Sequence, residues 1–339
     1  MHLSERIDRH RAAAQTLAAL DDSGLSELLA RASAPTAGFG GSTASVDVAG
    51  VPTFVKHVPL TELERRTGNV GSTANLFGLP TFYQYGFGST GFGVWREVAV
   101  HTMTTEWVLE GGFGGFPLLH HWRIRPEPPG PADAAELERW VKHWDGDEAV
   151  RSRLEAISAA PETVVLFMEH IPSTVDQWLA RQGDDAYAFV DRLLHDGSTF
   201  MRARGMTHFD AHFRNLLTDG DRIYFADFGL STHAGFALDA AESAFVRRHA
   251  DYDHAYTATH LTRWLVSTLL DVPWPEVMGR LRAHASDPAG LGLPDAATRI
   301  VARHLPVALV MGDFLDAFET VSKKTPFPAA EVARSLPGG

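Results

Sequence analysis

The stretch Met206-Thr-His-Phe-Asp-Ala-His-Phe-Arg-Asn-Leu-Leu-Thr-Asp-Gly-Asp-Arg-Ile-Tyr-Phe-Ala-Asp-Phe-Gly-Leu230 decides how the rest of this 339-residue chain is read. Two polar clusters flank the Asp219-Gly220 pair, a composition that favours a tight hairpin turn. The first cluster, His208-x-Asp210-x-His212-x-x-Asn215, sets a carboxylate and an amide five residues apart on one loop. The second puts Asp227 at the end of the apolar strand Ile223-Tyr-Phe-Ala226, directly before Phe228-Gly229. A hairpin folds loop and strand end back toward each other. Asp210, Asn215 and Asp227 can then converge as hard oxygen ligands and a base around one polyphosphate-bound Mg²⁺.

Outward from this stretch, the chain is strand-rich in its first half and helix-rich in its second. Residues 3–32 carry leucines at mostly helical spacing, interrupted at Asp21-Asp22-Ser23-Gly24, and read as a helical preface. Alternation over 44–48 and 51–58 around Ala49-Gly50 predicts a hairpin. Residues 68–93, rich in Gly, Ser, Thr and aromatics without a clean period, predict loops around one or two short strands. Helical patterning runs from Val94 to Leu109, a strand is expected over 116–124, and Pro126-Glu-Pro-Pro-Gly-Pro131 reads as a linker or surface loop. A polar helical stretch over 132–159 precedes Val164-Val-Leu-Phe-Met168, a short continuous apolar run that predicts a buried strand. Long helical patterns then cover 186–204 and 255–270.

The catalytic-loop spacing and the Asp-Phe-Gly triplet, 17 residues from Asp210 to Asp227, resemble those of the protein-kinase-like superfamily. The resemblance implies an α+β fold of two lobes. The small, antiparallel-sheet N-lobe would span 36–168, a hinge 169–171 and a mainly helical C-lobe 172–339, with 1–35 as a helical extension. It also implies a strand lysine, and Lys56 in Thr53-Phe-Val-Lys-His-Val58 stands where such a lysine would hold the α and β phosphates. Gly38-x-Gly40-Gly41 precedes it as a loop to cover the phosphates, although it departs from the full G-x-G-x-x-G pattern. Glu97 is the implied ion-pair partner of Lys56, with Glu106 as the alternative, and Met168-Glu169-His170-Ile171 resembles the hinge whose backbone, at Glu169 and Ile171, meets adenine. The implied cofactors are ATP and Mg²⁺, the metal held by Asn215 and Asp227. Asp210 is the implied catalytic base, with His212 replacing a missing lysine at the γ-phosphate and His208 as a packed loop anchor.

Gly86-Phe-Gly88-Ser-Thr-Gly91 matches G-x-G-x-x-G letter for letter, but no lysine follows it before Lys142 and no βαβ unit surrounds it. It reads as a plain loop, the alternative being a flap. Phe209 stands where regulated protein kinases carry arginine, and His212 where Ser/Thr kinases carry lysine. His-x-Asp-x-His-x-x-Asn is more similar to the aminoglycoside-phosphotransferase branch, as is the 154-residue separation of Lys56 and Asp210. Asp-Phe-Gly is the protein-kinase form, while no Ala-Pro-Glu follows Asp227. The expected acceptor is therefore a hydroxyl of a protein or peptide Ser/Thr, with a small-molecule hydroxyl as the alternative. Two further readings stay open: a pseudokinase that binds without turnover, and a metallophosphoesterase suggested by Asp210-x-His212 but lacking the other motifs of a dinuclear centre.

Composition bounds these readings. Hydrophobic residues make up 45% and charged residues 21%, enough apolar surface for a sizeable core. The formal net charge of −12 argues against a nucleic-acid or anionic-membrane partner. The absence of cysteine excludes disulfides, thiolate metal sites and cysteine nucleophiles, and fits a cytoplasmic location. The charged amino terminus and the lack of a long apolar run predict neither a secretory leader nor a membrane span. The 17 histidines, including His120-His121, read mainly as surface and packing residues.

Overall fold

The computed structural model describes residues 2–34, 36–38, 41–127 and 133–337. The chain is α+β and divides into two compact units: Met1–Pro172 with Asp227–Asp239, and Ser173–Ala226 with Ala240–Gly339. The segment carrying Phe228-Gly229 thus groups with the first unit, whereas the sequence reading assigned everything after 172 to the second. Among the described residues no helix is long and apolar enough to cross a membrane.

The first unit opens with helices α1 (Leu3–Ala19) and α2 (Asp22–Leu29), the break between them fixed by Asp21, whose carboxylate accepts the Gly24 N–H. Strands β1 (Thr36–Gly38), β2 (Gly41–Val48) and β3 (Val51–Leu60) follow as antiparallel neighbours. Ala49 and Gly50 both take positive φ at the β2–β3 turn, and Asp47 accepts the Gly50 N–H. Helix α3 (Val94–Leu109), strand β4 (Leu119–Pro126), helices α4 (Ala134–His143) and α5 (Glu148–Ser158), and strand β5 (Glu162–Glu169) complete the unit. The sheet order is β1-β2-β3-β5-β4, antiparallel throughout.

The apolar run in β5 follows from its central place. Val165 and Phe167 pack with Ala13, Leu17, Leu25 and Leu28 of the N-terminal helices, and Val164, Leu166 and Met168 pack with Val94, Trp95 and Val98 of α3. Helices cover both faces of the sheet, so β5 has no polar face to present. The register pairs Lys56 with Leu166, which places Lys56 on the α3 side, opposite Val55.

Two expectations are corrected. Residues 68–93 contain no strand, only a 3₁₀ turn at Thr81–Gln84, because side chains take the role of a ladder: Asn75 bonds Leu79 in both directions and Arg96 donates to Thr73 O. The strand expected over 116–124 begins at Leu119 and runs to Pro126. Of the proline-rich stretch after it, residues 128–131 lie outside the described residues.

The second unit begins with strand β6 (Ser173–Thr174), helix α6 (Val175–Leu179), helix α7 (Asp184–Ala203) and strand β7 (Met206–Thr207). Strands β8 (Leu216–Thr218) and β9 (Ile223–Phe225) form the expected hairpin, with Leu216 facing Phe225 and Thr218 facing Ile223. Asp219 accepts the N–H groups of Asp221 and Arg222 at its turn, and β6 pairs with β8 on the other side. Helices α8 (Ala240–Arg248), α9 (Tyr252–Leu269), α10 (Val277–Ala283), α11 (Asp295–Thr320) and α12 (Ala329–Ser335) follow. The core is built where α7, α9 and α11 pack together, from residues such as Leu194, Leu265 and Leu305.

Candidate functional site

The sequence-selected residues fall into two groups, one in each unit. In the first, Lys56 Nζ donates to Glu97 Oε1 at 2.6 Å and to Asp227 Oδ1 at 2.7 Å. Glu97 lies in the first turn of α3 and is buried; Glu106 is exposed and is not the partner. Burial opposes the charge on Lys56, but the carboxylates of Asp227 and Glu97 outweigh it and hold the ammonium above its ordinary range. Burial likewise opposes the charge on Glu97, and Lys56 with His101 holds it below the usual carboxylate range. Asp227 takes a left-handed backbone (φ 60°, ψ 78°), which an aspartate tolerates better than most residues. That turn buries Phe228 against His101 and Phe116 while the Asp227 side chain stays half-exposed.

Several residues that hold this group carry no sequence motif. Glu64 is buried, pairs with Arg153 at 2.9 Å and accepts the Val94 N–H at 2.9 Å, so it satisfies the amino terminus of the helix that presents Glu97. Gln84 donates to Leu230 O. Gly91, at φ +72°, lies so close to the Gly229 carbonyl that an added Cβ would collide with it, and a Cβ on Gly88 would collide with the Trp140 ring. The G-x-G-x-x-G look-alike is therefore a packed segment whose glycines permit close approach, Gly91 directly against the Asp-Phe-Gly backbone.

Gly38 ends β1 and pairs with Gly41 across the hairpin, while Gly40 lies outside the described residues. At Gly41 a Cβ would meet the His57 carbonyl, so the demand for glycine there comes from strand pairing. Glu169 is buried at the end of β5; its N–H donates to Leu118 O at 2.8 Å and its carboxylate takes a bidentate bond from Arg6. Ile171 is buried two residues on, ahead of Pro172.

In the second unit, Asn215 Nδ2 donates to Asp210 Oδ2 at 2.9 Å and to Asp210 O at 3.0 Å, which fixes the plane of the carboxylate. His212 Nδ1 accepts the Arg214 N–H, so in the neutral ring the proton sits on Nε2, 3.8 Å from Asp210 Oδ2. His208 behaves as the expected anchor: Nε2–H donates to Ala226 O at 2.9 Å and Nδ1 accepts the Asp210 N–H at 3.3 Å. Ala226 N–H in turn donates to Asn215 O, so loop and strand end are bonded in both directions up to the residue before Asp227.

Asp253, in the first turn of α9, is the residue here that sequence reasoning missed. Its Oδ2 accepts the His208 N–H at 2.7 Å and its Oδ1 the Phe209 N–H at 3.0 Å. Phe209 has φ 66° and packs among Phe245, His249 and Tyr252, so the loop is held by a buried carboxylate and an aromatic cluster together. Burial pushes Asp253 up to about 6, the two backbone bonds acting the other way. Around the same loop, burial first and the Asp210 carboxylate second raise the Tyr256 phenol. Burial, then His212, Arg263 and Arg214, lower His260 to about 3.

Among the described residues no three His, Asp or Glu side chains are arranged to hold a metal by themselves. No protein-family model matches the chain, and no curated protein matches it.

Proposed function

We propose that this chain is an ATP- and Mg²⁺-dependent phosphotransferase with a bilobal protein-kinase-like fold, moving the γ-phosphoryl group to a hydroxyl. The observation that carries the reading is Lys56 Nζ bonded at once to Glu97, its expected ion-pair partner, and to Asp227, the expected metal ligand. An ammonium has three N–H donors, and two on carboxylates leave the third to a phosphate oxygen.

In this reading Asp210 orients the acceptor hydroxyl and takes its proton, with Asn215 holding the carboxylate in plane. Mg²⁺ takes few protein ligands and completes its shell with phosphate and water, and Asn215 and Asp227 are each of a residue type that would serve as a ligand to it. The bound ion would neutralise phosphate charge. His212 supplies a further N–H donor beside Asp210. Glu169 and Ile171 contribute backbone groups to adenine.

The acceptor is a Ser/Thr hydroxyl of a protein or peptide. The Asp227-Phe228-Gly229 triplet, the protein-kinase form, supports this acceptor over a small-molecule hydroxyl. The test is transfer of labelled γ-phosphate from Mg·ATP to a panel of Ser/Thr peptides, amino sugars and neutral alcohols. Peptide labelling supports the reading, amino-sugar labelling alone moves the enzyme to the small-molecule branch, and failure to bind ATP refutes it.

A further inference from the structure

Arg6 is a fully buried cation contributed by α1, outside the sheet and α3 that carry Lys56 and Glu97. Its guanidinium makes four hydrogen bonds, each to a different atom. Nε donates to Glu169 Oε1 at 2.8 Å and Nη2 to Glu169 Oε2 at 2.7 Å; Nη2 also donates to Phe116 O at 2.7 Å, and Nη1 to Gly114 O at 2.8 Å. Glu169 closes the arrangement, because its Oε2 accepts the Leu118 N–H at 3.2 Å and its own N–H donates to Leu118 O at 2.8 Å. One side chain of the N-terminal helix therefore fixes the end of β5 and the 114–118 segment in a single mutual orientation.

A buried ion pair is a poor device for stability, since apolar replacements of similar volume often do as well. A planar bidentate fork between two elements instead sets position and angle. Glu169 ends β5 with its N–H on Leu118 O, and Pro172, which lacks an N–H, follows Ile171, so the backbone N–H groups between the strand and the proline are those of His170 and Ile171. We infer that Arg6 is a positioning residue for adenine recognition: through Glu169 it sets the direction in which the 169–171 backbone meets the edge of the base. The inference rests on the phosphotransferase reading above, and it gives the N-terminal helix a part in nucleotide selection.

The test measures affinities of the full-length chain for Mg·ATP, Mg·GTP and inorganic tripolyphosphate, alongside thermal melting, for the wild type and for Arg6→Met, Arg6→Lys and Glu169→Gln. Misaligning one or two backbone hydrogen bonds weakens ATP by ~10-fold. Arg6→Met and Glu169→Gln are expected to lose that factor and with it the preference for ATP over GTP, while tripolyphosphate binds as before. Arg6→Lys keeps the charge without the fork and is expected to recover less than half of the preference on a logarithmic scale. Wild-type selectivity in folded variants overturns the inference, as does an unfolded Arg6→Met beside a fully selective Arg6→Lys, which marks Arg6 as structural only. A wild-type chain that binds tripolyphosphate and ATP equally overturns it too, leaving the phosphotransferase reading intact, whereas one that binds no nucleotide removes both.

Discussion

Asp253→Asn separates the charge of this buried side chain from its shape. In the folded chain burial raises the Asp253 carboxyl to about 6 from the ordinary 3.8. Between those two values the native state keeps a proton that the unfolded chain has released, so this residue makes stability fall as pH rises through the window. The gap corresponds to a destabilisation of about 3 kcal/mol, absent well below pH 4 and complete above pH 6. Asparagine has no such transition. At pH 4 the variant is less stable by about 1–3 kcal/mol, because its amide NH₂ faces the His208 or Phe209 N–H where a carboxyl oxygen accepted it. From pH 4 to pH 7 the difference between variant and wild type is expected to move by about 2–3 kcal/mol in the variant's favour. Urea unfolding of both proteins at matched pH values between 4 and 7, followed by far-ultraviolet circular dichroism, measures it. The lowered histidines, such as His249 and His254 at about 4, occur in both proteins and cancel in the difference. A difference that stays constant across this range refutes the reasoning, since Asp253 would then ionise as it does in water.

Lys56→Met leaves the buried Glu97 without its cation and is expected to destabilise the chain by about 3 kcal/mol, with the half-exposed Asp227 adding little. Chemical denaturation reads this, and Lys56→Met/Glu97→Gln is expected to recover most of the loss while remaining inactive. Gly91→Ala forces a Cβ against the Gly229 carbonyl at positive φ and is expected to cost about 2–4 kcal/mol. A melting scan checks that figure. Gly71→Ala, also at positive φ but with nothing near its Cβ, serves as the control for backbone strain alone.

Much of the fold was legible because it is written in local periodicity. Helix α3 spans 94–109 as its pattern indicates, bounded by Gly93 and Gly111, and β5 appears where five consecutive apolar residues leave no polar face. The Asp219-Gly220 turn was legible from turn chemistry, and it brings Ala226 onto Asn215. What was not legible is held by single long-range side-chain bonds. Asp253 reaches the loop from more than 40 residues downstream, and nothing in Asp251-Tyr-Asp-His254 distinguishes it from an ordinary first-turn aspartate. Arg6 sits among the charged residues of the first helix with no motif to distinguish it, although its side chain is buried. Residues 68–93 misled for the same reason, since Gly91, Gln84 and Asn75 satisfy sterics and hydrogen bonds that no local period encodes. The extra Asp-Phe-Gly segment in the first unit reflects the burial of Phe228 against His101 and Phe116, contacts that the triplet alone does not announce.

The most direct test of the central claim is γ-phosphoryl transfer from Mg·ATP by the wild type, Asp210→Asn and Asp227→Asn under one set of conditions, with folding checked by circular dichroism. Acceptor-stimulated turnover is expected in the wild type and a loss of ~100-fold or more in each variant, with nucleotide still bound by Asp210→Asn. Turnover that survives both substitutions, or a folded wild type that binds no nucleotide, contradicts the claim.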